Sequence, residues 1–557
     1  MDTQRIIALV VFSFSAMFLW EAWQKQNQPP AATVPAKSPS TSIPTQSVPL
    51  GASSGAAVNP PAPGAIAATQ SVLTGKPVVV RTDMFDVELN TQGGDVDRVT
   101  LRKHMSAEDK AKPLVLLQPG EGHHFVTQSG LLGGLPNHNT QYSVEANEYT
   151  LAPGQDKLEV RFTAPAASGA EVVKTVTFHS GSYLIDVAYH IHNTGEQALA
   201  PFAYFQFVRD ANPPEGEAVR STPFSGVATF TGPAVYTEEK KFQKIAFADI
   251  DKGSVEYPRK ATDGWIAIVQ HYFVSAWLPK PGLEREYITK KTNNYYDAGV
   301  IVPAGTIAPN QTATIDMPLY VGPQEQDKLE NLAPGLELVV DYGWLKVIAK
   351  PLFWLLKTIH GFVGNWGWAI IVMTILIKLV FFPLNQKAGK SMAHMKAMAP
   401  RIEQLRQRYG DDRAKLNQAM MELYRTEKIN PMGGCLPIVV QIPVFIALYW
   451  VLLAAIELRH TPWMGWIQDL SAPDPLYILP LIMAVSMFVQ TKLNPPPPDP
   501  VQAKVMMVMP LVFSVMFFFF PSGLVLYWTV QNLLGIVQQW SINRIVARDP
   551  KLKAAKR

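Results

Sequence analysis

The sequence predicts a mixed fold: a polytopic α-helical membrane domain joined to a large, sandwich-like all-β domain outside the cytoplasm. Three observations carry it. Apolar runs long enough to cross a bilayer crowd the last two hundred or so residues. Short runs with period-two alternation, punctuated by Gly, Pro and Asn, fill the stretch between Pro77 and Pro323. Lys and Arg gather in one long connection and in the tail instead of being spread evenly. The composition agrees, with 557 residues that are 48% hydrophobic, only 17% charged and of formal net charge +4. A single cysteine, Cys435, excludes an intrachain disulfide or CxxC pair, so an external domain has to stand on its apolar core.

Residues 1–25 hold a short apolar segment after Arg5, a signal peptide or an anchor; Trp20 and Trp23, placed like an interfacial belt, favour an uncleaved anchor. Residues 26–72, rich in Pro, Ala, Ser and Thr, lack periodic apolar positions and read as a disordered tether. Within it Gly51-Ala52-Ser53-Ser54-Gly55 matches G-x-S-x-G, but no strand precedes it and no helix follows, so the match is chance. Residues 73–323 form the β domain, with strands expected at 85–89, 158–162, 172–178, 183–192, 203–208, 265–269 and 313–320. His190 and His192 share a strand face there, yet no third ligand stands at a metal-like spacing. No close pair of acids reads as a glycosidase couple. In residues 324–362, Trp344, Ile348, Leu352, Leu356 and Ile359 fall on one helical side and Lys346, Lys350 and Lys357 mostly on the other, the pattern of a helix lying in the headgroup plane.

Further spans are expected at 363–384, 432–456, 476–493, 503–520 and 523–541, which with the first anchor make six crossings. The connection at 385–431 carries ten basic residues, among them Lys387, Arg401, Arg408 and Arg425, and the tail at 542–557 adds six; the loop at 457–475 has only Arg459. The basic loop, the short 494–502 loop, the tail and the amino terminus are therefore cytoplasmic and the β domain external. Apolar positions from Met392 to Tyr409 and from Leu416 to Tyr424, separated by a stop at Gly410 and a start at Asp411 or Asp412, predict a helical hairpin whose basic faces suit anionic lipid or ribosomal RNA.

Lys378 lies inside the second span with Thr374 one turn earlier on the same face. A charge at that depth costs about 2.5–3.5 kcal/mol on insertion scales, so it usually has a use; the plainer reading is a stem that lifts the ammonium to the interface. No nucleotide motor is encoded: Gly389-Lys390-Ser391 has Leu384 where a phosphate loop needs glycine. The last five spans contain no acidic residue for ion coupling and none of the pairings of an intramembrane protease. They do contain Gln441, Ser486, Gln490, Ser514, Thr529, Gln531 and Asn532, which beside Lys378 would line a hydrated recess. Met483, Met487, Met506, Met507, Met509 and Met516 supply flexible surface for varied partner helices.

Asn365-Trp366-Gly367, the run 430–437 (NPMGGCLP), Gln441-Ile442-Pro443, Asp469-Leu470-Ser471, Tyr477-Ile478-Leu479-Pro480 and Pro521-Ser522-Gly523-Leu524 closely resemble the YidC family of membrane-protein insertases. Gln270-His271-Tyr272-Phe273 and the anchored β domain resemble its Gram-negative inner-membrane form. The resemblance implies a periplasmic β-supersandwich, five core spans around a hydrophilic groove closed to the periplasm, and work alone or beside the Sec translocon. It implies nascent membrane proteins as partners, with the ribosome and membrane lipids, and no catalytic residue, metal, cofactor or specific DNA. The groove cation, commonly arginine in the family, falls here on Lys378; Thr374, Gln441, Tyr527, Trp528 and Asn532 are the other groove positions expected. The competing class is a membrane-anchored periplasmic carbohydrate-binding or carbohydrate-active protein whose spans only hold its β domain.

Overall fold

The computed structural model describes residues 75–547 apart from 108, 121, 167–168, 215–229, 411, 428–435, 494–506 and 509–513. The anchor, the tether, Cys435, the 494–502 loop, much of the fifth span and most of the tail lie outside the described residues.

Among the described residues the β domain contains three sheets. A nine-stranded antiparallel sheet runs in the order Lys241–Lys244, Gly232–Thr237, Trp265–Val269, Phe273–Trp277, Thr312–Pro323, Leu184–Asn193, Ala170–His179, Lys157–Thr163, Ser143–Val144. A five-stranded sheet runs Pro113–Leu117, Val96–Met105, Phe85–Asn90, Pro77–Arg81, Glu148–Thr150, and another Lys260–Ala261, Arg285–Thr292, Tyr295–Pro303, Phe202–Arg209, Phe125–Leu131. Strand Leu184–Asn193 shows why the alternation works: Ile185, Val187, Tyr189 and Ile191 are buried while Asp186, His190 and His192 point the other way. His190 lies between the hydroxyls of Thr175 (3.3 Å) and Thr314 (3.1 Å), and His192 Nδ1 is 3.5 Å from Glu171, so both imidazoles belong to the sheet's polar face. Among the described residues no cluster of three potential metal ligands occurs.

The core also holds an ionic network. Lys174, 1% exposed, donates from Nζ to Asp95 Oδ1 (2.7 Å), Ser129 Oγ (2.8 Å) and Gly93 O (2.9 Å). All three donors of a buried ammonium are thereby used, which is what makes its burial tolerable.

Helix α1 (Lys346–Val363) forms within the segment expected to be amphipathic. Two of its three lysines have acidic partners, Glu337 for Lys350 at 3.5 Å and Asp327 of the short helix Gln326–Leu332 for Lys357. Ala349, Phe353, Leu356 and Ile359 make the buried ridge, and Val347, Trp354 and Phe362 are exposed. Of the predicted stripe, Leu356 and Ile359 lie in that ridge and Ile348 and Leu352 are partly buried at its edge.

Helix α2 (Trp366–Val380) starts where Asn365 accepts from Trp368 N (3.1 Å) and stops at Phe381, because Pro383 has no N–H to offer Leu379 and crowds its carbonyl. Helix α3 (Phe382–Ala397) leaves at 63° to it. Among the described residues no single helix is long and apolar enough to cross a membrane; Trp366–Val380 with Phe382–Gly389 reaches that length as a bent pair. The first arm of the expected hairpin is broken, since Pro400 ends one helix and starts α4 (Ala399–Tyr409). Asp412 caps α5 (Arg413–Thr426) by accepting from Lys415 N (3.0 Å), and Arg401 of α4 pairs with Glu427 beyond α5 at 2.6 Å. Helices α6 (Leu436–Ala454), α7 (Ile478–Leu493) and α8 (Ser522–Ala547) complete the bundle, with α8 packed on α2, α3, α6 and α7.

Candidate substrate groove

Lys378 stands in the last turn of α2, where the helix's carboxyl end carries partial negative charge that favours a cation. The bend that Pro383 imposes directly after it keeps the ammonium beside α8 and α7. A Cβ built on Gly535 of α8 would lie 3.7 Å from Lys378 Nζ and 3.3 Å from Gln490 Nε2 of α7, so both donors reach the same small space that glycine leaves. Among the described residues no acidic side chain acts on Lys378.

One turn back along the α7–α8 contact, Asn532 Nδ2 points at Met483 Sδ (3.3 Å) and at Ser486 Oγ (3.5 Å), while Ser486 donates to Met483 O (2.7 Å). Asn532 and Lys378 thus stand beside the same pair of helices. Thr374 is fully buried and donates to Ile370 O (2.6 Å), so its hydroxyl is spent on its own helix turn.

Tyr527, Trp528 and Gln441 belong to a different side. Tyr527 stacks on Phe445 of α6 at 6.2 Å, and Trp528 meets Phe445 edge-on at 4.5 Å and Phe517 at 4.6 Å. Tyr527 is 1% exposed, inside an aromatic layer. Gln441 Nε2, Trp528 Nε1, Gln531 Oε1 and Gln538 Nε2 are buried without a hydrogen-bond partner among the described residues. Such atoms cost about 1–3 kcal/mol each in a dry interior. Gln490 stood out in the sequence only as one polar residue of several. Gly535 was missed; the available signal was a glycine inside a long helix with no turn to justify it.

Residues 77–355 match the model of the YidC periplasmic domain, and residues 358–549 match that of the 60Kd inner membrane protein. Over 553 residues, 99% of each chain, the sequence is 54% identical to the membrane protein insertase YidC of Aromatoleum aromaticum. The chain belongs to the YidC family. The membrane protein insertase YidC of Nitrosospira multiformis is 49% identical over 566 residues, 98% of each chain. A crystal structure of an active YidC insertase with its first transmembrane domain resolved aligns with 84% of this chain and 94% of its own, at 16% identity and a TM-score of 0.37. The two family matches meet between residues 355 and 358, inside α1, so that helix is the joint between the YidC periplasmic and inner-membrane parts. Relatives named as insertases along the whole chain leave the anchored carbohydrate-binding class without support.

Proposed function

We propose that this protein guides hydrophobic segments of newly made proteins from the cytoplasm into the inner membrane, with no catalytic step, alone or beside the Sec translocon. The chain is multi-pass, with both termini, the basic α4–α5 hairpin and the tail in the cytoplasm and the β domain in the periplasm. A client leaving the ribosome meets the hairpin and nearby anionic lipid. Its short polar flank then enters a wet recess lined by Lys378, Gln490 and Asn532, with Thr374 behind them and Gln441, Tyr527 and Trp528 along the α6 side.

The observation that carries this reading is the ammonium of Lys378, set beside Gln490 and Gly535 with no acidic side chain acting on it among the described residues. An acidic flank supplies the missing charge. Lys378 offsets part of the dehydration cost of those carboxylates, and the membrane potential draws a negative charge outward by about 2.3 kcal/mol per 100 mV. Transfer of the apolar segment to lipid, at about 25 cal/mol per Å² buried, drives the process without nucleotide hydrolysis. The test is reconstitution of the purified chain in liposomes with a small single-span client. Protease protection of the client's outer segment is expected, and no protection above protein-free liposomes would end the proposal.

A further inference from the structure

The motifs around Asn365, Asp469, Tyr477 and Ser522 play no part in the groove, yet they converge on one structure. The connection between α6 and α7, residues 457–475, is a folded cap bonded to the starts of three helices. At α2, Asn365 Nδ2 donates to Pro462 O (3.2 Å) and Trp463 O (3.1 Å). The Trp463 indole lies against the backbone of Gly367, where a Cβ would stand 2.2 Å from its Cδ1, and Trp368 packs edge-on against it at 5.8 Å. At α8, Ser522 donates through both N and Oγ to Ala472 O (each 2.7 Å), and Gly523 N donates to Leu470 O (2.9 Å). At α7, Asp474 accepts from Leu479 N (2.7 Å), Leu476 N (2.9 Å) and the indole N–H of Trp466 (3.0 Å).

The cap is closed on itself as well. Asp469 accepts from His460 N (3.1 Å), Ser471 N (2.9 Å) and Ser471 Oγ (2.7 Å). Ile467 and Leu470 are buried beneath it. Arg459 donates to Met105 O of the β domain (2.7 Å), and Lys110 lies 3.6 Å from Asp469. Trp366 and Lys378 stand at opposite ends of α2, separated by about 18 Å at the helical rise. The indole N–H of Trp463 is buried without a partner among the described residues, so it is the fit of the ring on Gly367 that seats it, while Asn365, Ser522 and Asp474 tie the connection to the three helix starts.

We propose that this cap is the permeability seal of the insertase, a lid locked by Trp463 on Gly367 that leaves the polar interior wet from the cytoplasmic side only. Ions and protons are thereby kept from following a client. The inference rests on the insertase reading for the wet interior, and Gly367 and Trp463 act by positioning the lid, with no contact to the client implied.

The experiment is proton leak into liposomes holding the full chain and an internal pH-sensitive dye, under a potassium gradient with valinomycin and without client, with client protection measured separately at zero potential. Wild-type vesicles are expected to stay tight. Gly367→Leu, whose side chain displaces the indole, and Trp463→Ala, which leaves a gap, each raise the leak several-fold while client protection persists. Combining Gly367→Leu with Trp463→Ala exchanges the bulk and restores much of the barrier, a rescue that general destabilisation would not give. If Gly367→Leu fails to assemble, Trp463→Ala decides alone. Variants that resist protease like the wild type and hold the gradient equally well would overturn the seal. A leak pattern as expected without client protection in the wild type would instead refute the insertase reading.

Discussion

Gly535→Val forces apolar bulk into the space shared by Lys378 Nζ and Gln490 Nε2. An added Cβ alone stands 3.3 Å from the Gln490 amide, the far end of a flexible side chain, so Gly535→Ala is absorbed by a small shift. The two further carbons of valine push both donors outward. An ion pair at 4 Å and an effective dielectric constant near 20 is worth about 4 kcal/mol, and at about 7 Å it falls to about 2.4. The loss, about 1.8 kcal/mol, is a roughly 20-fold drop in occupancy of the groove by an acidic flank. The assay compares two single-span clients differing only in having acidic or neutral flanks, reconstituted with wild type, Gly535→Ala and Gly535→Val. The expected order is near-normal insertion for alanine, and for valine a large loss confined to the acidic client. An equal loss for both clients would mean that Gly535 serves helix packing, and the electrostatic reasoning would fall.

Thr374→Val should leave insertion of both clients unchanged, because the hydroxyl is bound to Ile370 O; a loss as large as that from removing Lys378 would contradict this. Lys174→Met strands the buried carboxylate of Asp95 and should destabilise the β domain by about 3–5 kcal/mol, read as a lower unfolding midpoint of the full chain in detergent, with insertion retained below the transition. An unchanged midpoint would show the network to be dispensable. Burial, opposed by the hydrogen bond from Asn90, raises the Asp97 carboxyl from 3.8 to about 7. The folded state therefore keeps a proton that the unfolded chain has released, and this contribution to stability is lost as pH rises from about 4 through about 7. Asp97→Asn, whose amide does not titrate, should therefore gain stability relative to the wild type as pH rises across that window, and a pH-independent difference would refute the shift.

Much of the β domain was legible because its strands bury one face, as the alternation in Leu184–Asn193 shows. Phe273–Trp277 and Tyr295–Pro303 are buried nearly throughout and show no period of two, yet Trp265–Val269, buried throughout as well, was legible, and the alternating Pro77–Arg81 was not, so alternation alone did not decide which strands could be read. Lys378 announced itself by its cost in an apolar run. Its neighbours did not: Gln490 and Gly535 come from helices far along the chain, and only packing brings them together. Tyr527 and Trp528 were expected in the groove only through the family resemblance; their rings meet Phe445 of α6, and Trp528 also meets Phe517, contacts that no spacing in the sequence announces. The lysines of α1 defined a polar face without naming the acids, Glu337 and Asp327, that claim it. The cap stayed invisible because most of its bonds engage backbone atoms, which every residue has.

Insertion of an acidic-flanked client by Lys378 variants in liposomes measures the central claim most directly. A cation within the bundle predicts that Lys378→Arg inserts the client at the wild-type level and Lys378→Glu arrests it, while a neutral-flanked client is little affected by either. Equal insertion of the acidic client by lysine, arginine and glutamate would contradict the account.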